Sequence, residues 1–431
     1  MPSGKREPAI QASLVLRAPA IQAFHGGVFF RGSTRALLSR YPVPGGTTVP
    51  DATVSRESDA GVTVADVLAA QARLRPYLPP TPLHHAERFG VWLKLENLQR
   101  TGSYKVRGAL NALLAGRERG DTRPVIAASA GNHAQGLAWA AYRLGVQAIT
   151  VMPHGAPANK IAGVAHWGAT VRQHGDSYDE AYAFARGLAK QNGYRFLSAF
   201  DEPDVIAGQG TVGIELAAHA PDVVIVPIGG GGLASGVALA LKSQGVRIVG
   251  AQVEGVDAMA RALQGDVRDI APVPSLADGV RVKVPGLLTR RLCAALLDDV
   301  VIVREAELRE TLVRLALEEN VIAEGAGALA LAAGRRVTGR RKCAVVSGGN
   351  IDAAVLAGLL SDVRPRTPRK PRRRTGELHP VEPVDAPTQA HEAMSVALPP
   401  ASLLPQLAPI AACAKAAPRA RRAVIEEETT W

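Results

Sequence analysis

Between residues 62 and 363 the chain alternates short apolar runs rich in Val and Ile with longer stretches whose apolar positions recur at helical spacing. The runs Val91–Leu95, Val125–Ala128, Ala148–Met152, Thr170–Gln173, Val223–Ile228, Arg247–Val253, Val300–Val303 and Cys343–Val346 predict β-strands. His133–Leu144, Ser177–Lys190, Leu233–Lys242 and Glu305–Glu319 predict helices between them. Repeated strand-helix alternation builds parallel sheets covered on both faces, so the expected fold class is α/β, with ligands at the carboxyl ends of the strands.

Composition adds a boundary to that picture. The 431 residues are 47% hydrophobic, yet no apolar run approaches the ~18 residues of a membrane span. Net charge is +11, but residues 1–61 hold 7 Lys+Arg against 4 Asp+Glu, residues 364–431 hold 11 against 7, and the middle holds 32 against 28. A basic nucleic-acid face is therefore not expected in the middle; nucleic-acid binding through the arginine run 364–374 is the non-enzyme alternative. Residues 1–61 read as a disordered extension or targeting-like segment, and residues 364–431 as a disordered basic tail rich in Pro and Ala. Cys293, Cys343 and Cys413 match no metal spacing and imply a reducing, cytoplasmic compartment.

Chemistry concentrates where strands end. Lys105 follows the strand Val91–Leu95 and the turn Thr101-Gly102-Ser103, whose hydroxyls are possible N-caps, so it falls in a first helical turn. There the helix dipole disfavours an ammonium and favours the neutral amine that a Schiff-base lysine requires, although most first-turn lysines are solvated surface charges. The octet Ser129-Ala130-Gly131-Asn132-His133-Ala134-Gln135-Gly136 links a strand to a helix. It suits either a carboxylate on converging amides or a self-capped turn. Gly229-Gly230-Gly231-Gly232 and Leu233 open another helix and suit a phosphate, without the spacing of an ATP or dinucleotide loop. Ser347-Gly348-Gly349-Asn350 ends the last strand.

Together with Lys94–Gln99, Gly208-Gln209-Gly210-Thr211 and Ala277-Asp278-Gly279, these motifs resemble the fold-type II pyridoxal-phosphate enzymes, in particular the threonine/serine dehydratase and serine racemase group. The resemblance implies two three-layer parallel-sheet domains: a large cofactor-binding domain of residues 62–122 and 199–363, and a small mobile domain of residues 123–198. It implies that Lys105 carries pyridoxal 5'-phosphate and takes the Cα proton. Tyr104, where the family more often has Phe, would pack on the ring, Asn132 would meet its 3′ oxygen, and Ser347 its pyridine nitrogen. Gly229, Gly230, Gly231, Gly232 and Leu233 would cradle the phosphate, and Ser129, Ala130, Gly131, Asn132 and His133 the substrate carboxylate. The expected reaction is dehydration and deamination of L-threonine, and of L-serine, by a homo-oligomer with no membrane partner. Serine racemase and threo-3-hydroxyaspartate ammonia-lyase are the alternatives.

Four departures from the family pattern shape these expectations. The segment between Leu83 and Trp92 is several residues shorter than in most relatives. Racemase-like members hold a divalent cation with two acids six positions apart; Glu254 matches the first, but the second is Ala260, so no metal site is expected. Ala130 stands where those members have a proton-delivering serine. No regulatory domain follows Val363, so isoleucine feedback is not expected.

Overall fold

The computed structural model describes residues 61–271 and 273–362. The expectations for residues 1–60, the arginine run, the tail and Cys413 lie outside them. Ten strands follow in order: β1 (Leu83–Ala86), β2 (Val91–Leu95), β3 (Val125–Ala128), β4 (Ala148–Met152), β5 (Thr170–Gln173), β6 (Arg195–Phe196), β7 (Val223–Pro227), β8 (Arg247–Val253), β9 (Asp299–Val303) and β10 (Lys342–Val346). Helices α1 (Val64–Leu74), α2 (Lys105–Glu118), α3 (Asn132–Leu144), α4 (Ala158–Ala165), α5 (Tyr178–Asn192), α6 (Pro203–Ala217) and α7 (Gly232–Leu241) cover the first part. After them come α8 (Ala258–Leu263), α9 (Leu287–Leu296), α10 (Glu305–Glu318), α11 (Gly325–Gly334) and α12 (Ala353–Ser361).

The strands form a six-stranded sheet in the order β1-β2-β10-β7-β8-β9 and a four-stranded sheet in the order β5-β4-β3-β6. All pairs are parallel except β1 with β2. That edge strand was not among the predicted runs: the few residues between Ala86 and Val91 cannot make a crossover, and a tight reversal leaves only an antiparallel edge. The central strand β7 is buried at every position, which is why its sequence is a continuous apolar run with no alternation.

Because β10 lies between β2 and β7, three loops that are far apart in sequence leave neighbouring strand ends on the same side. Residues 96–104 leave β2, Ser347–Asn350 leave β10, and Gly229–Gly232 follow β7. Parallel sheets of this kind bind ligands in such a crevice. Helix α2 joins the two halves, packing on α3 beside the small sheet and on α6 beside the large one. Val106, Leu110 and Leu113 on α2 enter one apolar cluster with Val125 and Leu137.

A buried ionic cluster holds α2 from behind. Arg107 spends all five of its N–H groups: two on Glu96 at 2.7 and 2.8 Å, two on Glu215 at 2.6 and 3.0 Å, and one on Thr211 Oγ1 at 3.1 Å. Lys94 Nζ adds bonds to Glu215 at 2.5 Å and to Thr81 O at 2.7 Å. Burial alone would lower the Arg107 guanidinium, but Glu96 and Glu215 raise it well above its ordinary value. Two cations and two anions, nearly dry, thus tie β2, α2 and α6 together.

Candidate active site

Lys105 is the first residue of α2, and the preceding cap is Tyr104 with no side-chain cap bond. The expected N-caps do not serve: the hydroxyls of Thr101 and Ser103 are buried without a protein partner. Instead the turn is stitched to the end of β10, with Tyr104 N donating to Ser347 O at 3.1 Å and Gly349 N to Gly102 O at 2.9 Å. Backbone pairing to another loop fixes this turn, so it has no need of a hydroxyl cap.

The Lys105 amine donates to Ala199 O at 2.8 Å and lies 5.2 Å from the centroid of the Tyr104 ring. Burial pushes it down from 10.5 to about 8, against the opposing pull of Glu324. Ala199 leads directly to Phe200, whose ring packs so tightly on Gly230 that a Cβ there would lie 2.3 Å from it. The lysine and the glycine loop are therefore linked through the dipeptide Ala199-Phe200.

At the loop itself Gly231 takes φ +96°, a conformation side chains resist, and turns the chain into α7. The first backbone bond of that helix runs from Ser235 N to Gly231 O at 2.8 Å, which leaves the amides of Gly232, Leu233 and Ala234 as the helix's unpaired N–H groups. Such a terminus suits a phosphate. The glycines themselves answer to the protein's own packing, since Cβ atoms at positions 229–232 would meet Val280, Phe200, Met259 and Thr289.

Opposite, the octet brings Asn132 between two partners. Its Nδ2 donates to Glu324 Oε1 at 2.6 Å and its Oδ1 accepts from Asn350 Nδ2 at 2.7 Å. Ser129 Oγ accepts from Gly131 N at 3.2 Å, and Ala130 packs against the apolar cluster shared by α2 and α3. His133 turns inward: it is buried, its Nε2 bonds Leu197 O at 3.2 Å, and burial and the nearby Lys105 push its imidazole down to about 3. The ring packs inward, so a carboxylate on this octet would be met by the backbone amide of His133.

Glu324 was missed. It precedes α11, donates its backbone N–H to Gly348 O at 3.0 Å, and is pushed up from 4.5 to about 7 by burial and by Asp278, against Asn132, Lys160 and Lys105. The signal was there to read: Glu324 is the only charged residue between Val321 and Gly334. Together with Asn132 and Asn350 it lines an open cavity of about 220 Å³. Lys105 is not in that wall; it lies deeper, towards Ala199. Ser347 Oγ, expected to meet a pyridine nitrogen, donates to Ala326 O at 3.3 Å and would have to turn to do so. Glu254 is exposed and Ala260 N caps onto Gln252 Oε1 at 2.8 Å.

An amine freed of part of its proton affinity, a helix terminus with three open amides, a buried hydroxyl and an aromatic ring fit a phosphorylated aldehyde cofactor. A family profile described as pyridoxal-phosphate dependent enzyme matches residues 74–349. L-threonine ammonia-lyase of Thermotoga maritima is 40% identical over 323 residues, covering 72% of this chain and 80% of that protein. The crystal structure of the T.th. threonine deaminase is 37% identical, covers 67% of this chain and 99% of its own, and superposes with TM-score 0.64. Maize serine racemase is 30% identical, covers 70% and 97%, and gives TM-score 0.65.

Proposed function

The chain belongs to the family of pyridoxal-phosphate dependent enzymes, and we propose that within it this protein removes water and ammonia from L-threonine, leaving 2-oxobutanoate. One observation carries the assignment to this chain's residues: the Lys105 amine is withdrawn from water at a helix start, linked through Ala199-Phe200 to a glycine loop with open amides. When bound, pyridoxal phosphate supplies an electrophilic carbon for the substrate amine and a ring that withdraws the electron pair left at Cα. Lys105 would hold the cofactor and, as a free amine, take the Cα proton, a task suited by the burial that pushes its amine down to about 8. The amides of Gly232–Ala234 hold the phosphate and those of Gly131–His133 the substrate carboxylate. Asn132 would orient the ring through its amide, Tyr104 would pack on it, and the Ser347 hydroxyl, on turning from Ala326 O, would serve its nitrogen as a neutral donor. Glu324, whose carboxyl burial pushes up to about 7, is a group in the cavity wall suited to hold or release a proton.

Racemisation of serine is the second reading, because a serine racemase superposes as well as a deaminase. It requires a proton donor on the face opposite Lys105; Ala130 carries none, and the neighbouring Ser129 hydroxyl is turned back on its own loop, where its oxygen accepts from Gly131 N. A homo-oligomer in a reducing cytoplasm completes the proposal, the compartment being inferred from the buried free thiols of Cys293 and Cys343. Incubation with L-threonine and L-serine, followed by keto-acid, ammonia and chiral analysis, tests the reading. Keto acid should form with little D-serine, and Lys105→Ala should lose both turnover and borohydride labelling at the cofactor site. Labelling of a different lysine overturns the Lys105 assignment, and D-serine appearing as fast as pyruvate favours the second reading.

A further inference from the structure

We propose that Lys160 and Asp278 form a latch across the cleft, closing the small sheet's side over the cavity and bracketing Glu324 with opposite charges, so that both are positioning residues for the reaction assigned to Lys105. Lys160 lies on α4, beside the four-stranded sheet; Asp278 lies in the one-turn segment Asp278–Val280, on the side of the six-stranded sheet. Their Nζ and Oδ2 atoms meet at 2.9 Å, and both line the same cavity as Glu324. Helix α4 otherwise packs on its own side, against α3 and β5. Two further ties cross the same gap, Asn159 Nδ2 to Asp352 Oδ2 at 3.3 Å and Lys283 to Asp179.

The ion pair is too exposed to matter much for folding, at 27% and 52% side-chain exposure. Weakness suits a contact that must open for substrate to enter. Its second effect is electrostatic. The groups facing Glu324 are Asp278, which raises its proton affinity, and Lys160, Lys105 and the Asn132 amide, which lower it; the Tyr104 phenol, itself raised by burial and by Glu324, stays neutral. Opening carries Lys160 away with α4 while Asp278 remains, so the open cleft holds the Glu324 proton more tightly and the closed cleft releases it more readily. Closure over substrate and a more acidic Glu324 are then one event.

The inference rests on the deaminase reading, and hydrogen exchange separates the two. Lys160→Met, Asp278→Asn and Lys160→Arg are compared with the parent as cofactor-loaded enzymes. Both charge-removing variants should keep the cofactor's yellow absorbance and lose about fivefold in kcat/KM for L-threonine, the ceiling for an exposed pair. Lys160→Arg should retain most of it. The near-neutral limb of the kcat/KM profile should move to higher pH in Lys160→Met and to lower pH in Asp278→Asn, whereas a purely structural contact would not split the two in opposite directions. Amides of Ala158–Ala165 should exchange faster in both charge-removing variants. Unchanged exchange overturns the latch even in an active deaminase, and limbs moving together overturn the bracketing of Glu324. A parent inactive on threonine that still shows the exchange difference keeps the latch and sinks the deaminase reading.

Discussion

Lys105 and Arg107 are cations two residues apart on the same helix, both drawn away from water, and they are treated in opposite ways. Arg107 has a carboxylate or hydroxyl for every N–H, and its charge is held above its ordinary value. Lys105 has one carbonyl, and its charge is pushed down to about 8. Around Arg107 the partners are anions within hydrogen-bond reach; around Lys105 they are the Ala199 carbonyl, the Tyr104 ring and a histidine whose imidazole burial holds neutral. Satisfaction fixes the helix, while dissatisfaction at its tip stores the reactivity.

The largest effect is expected where everything is satisfied. Arg107→Leu leaves Glu96, fully buried, with only the Thr81 hydroxyl, and Glu215 with Lys94 and the Thr81 amide, and breaking a buried pair from one side costs about 3–5 kcal/mol. Urea unfolding of the cofactor-free protein measures this directly. A loss below about 1 kcal/mol would mean that water reaches the cluster and that α2 is held by packing alone.

At Lys105 the sign should reverse. Its amine is lower in the folded chain than the ordinary 10.5, so folding disfavours the ammonium. That cost is fully present below about pH 8, fades as pH rises and is gone above 10.5. Lys105→Met should therefore stabilise the cofactor-free protein at neutral pH by about 2 kcal/mol, after a discount for partial exposure. The gain should disappear towards pH 10.5. A variant less stable than the parent at neutral pH would show that the bond to Ala199 O outweighs desolvation, and the contrast with Arg107 would collapse.

How much of this could be read from the chain depends on distance along it. Eight of the ten described strands were legible because each is a short local run with Val or Ile, and the place of Lys105 because the turn before it and the helix after it are both local. The antiparallel edge was missed because Leu83-His84-His85-Ala86 has neither alternation nor an apolar run. Partnerships were illegible for a different reason: Asn132 meets Glu324 across 192 residues and Asn350 across 218, and Arg107 meets Glu215 across 108. Periodicity records which face of an element is buried, not which distant element lies against it. The direction of the His133 ring was equally illegible, since a histidine in a helix's first turn reads the same whether its ring points to the crevice or, as here, to Leu197.

The smallest test applies one chemical change to both regions. Thr211 Oγ1 accepts from Arg107 and donates to Gly208 O at 2.7 Å, whereas Ser103 Oγ is as fully buried but has no protein partner. Thr211→Val keeps the shape, removes two hydrogen bonds and leaves the guanidinium Nη1 with a single acceptor. The expected cost is about 1 kcal/mol, because the carboxylates still hold the rest of the group. Ser103→Ala removes a hydroxyl that has already lost its water and gained nothing in exchange. Deleting a buried, unpaired group relieves its desolvation cost, and this offsets the small void left behind. Stability of the cofactor-free protein should stay within about 0.5 kcal/mol of the parent, on either side. The backbone of Ser103, bridged to Gly348, is untouched by the change, so the measurement isolates the hydroxyl. Unfolding midpoints of the two variants, run side by side, should differ in this order. Equal losses would mean that the Ser103 hydroxyl is satisfied in solution, and that the tip of α2 is less frustrated than its geometry indicates.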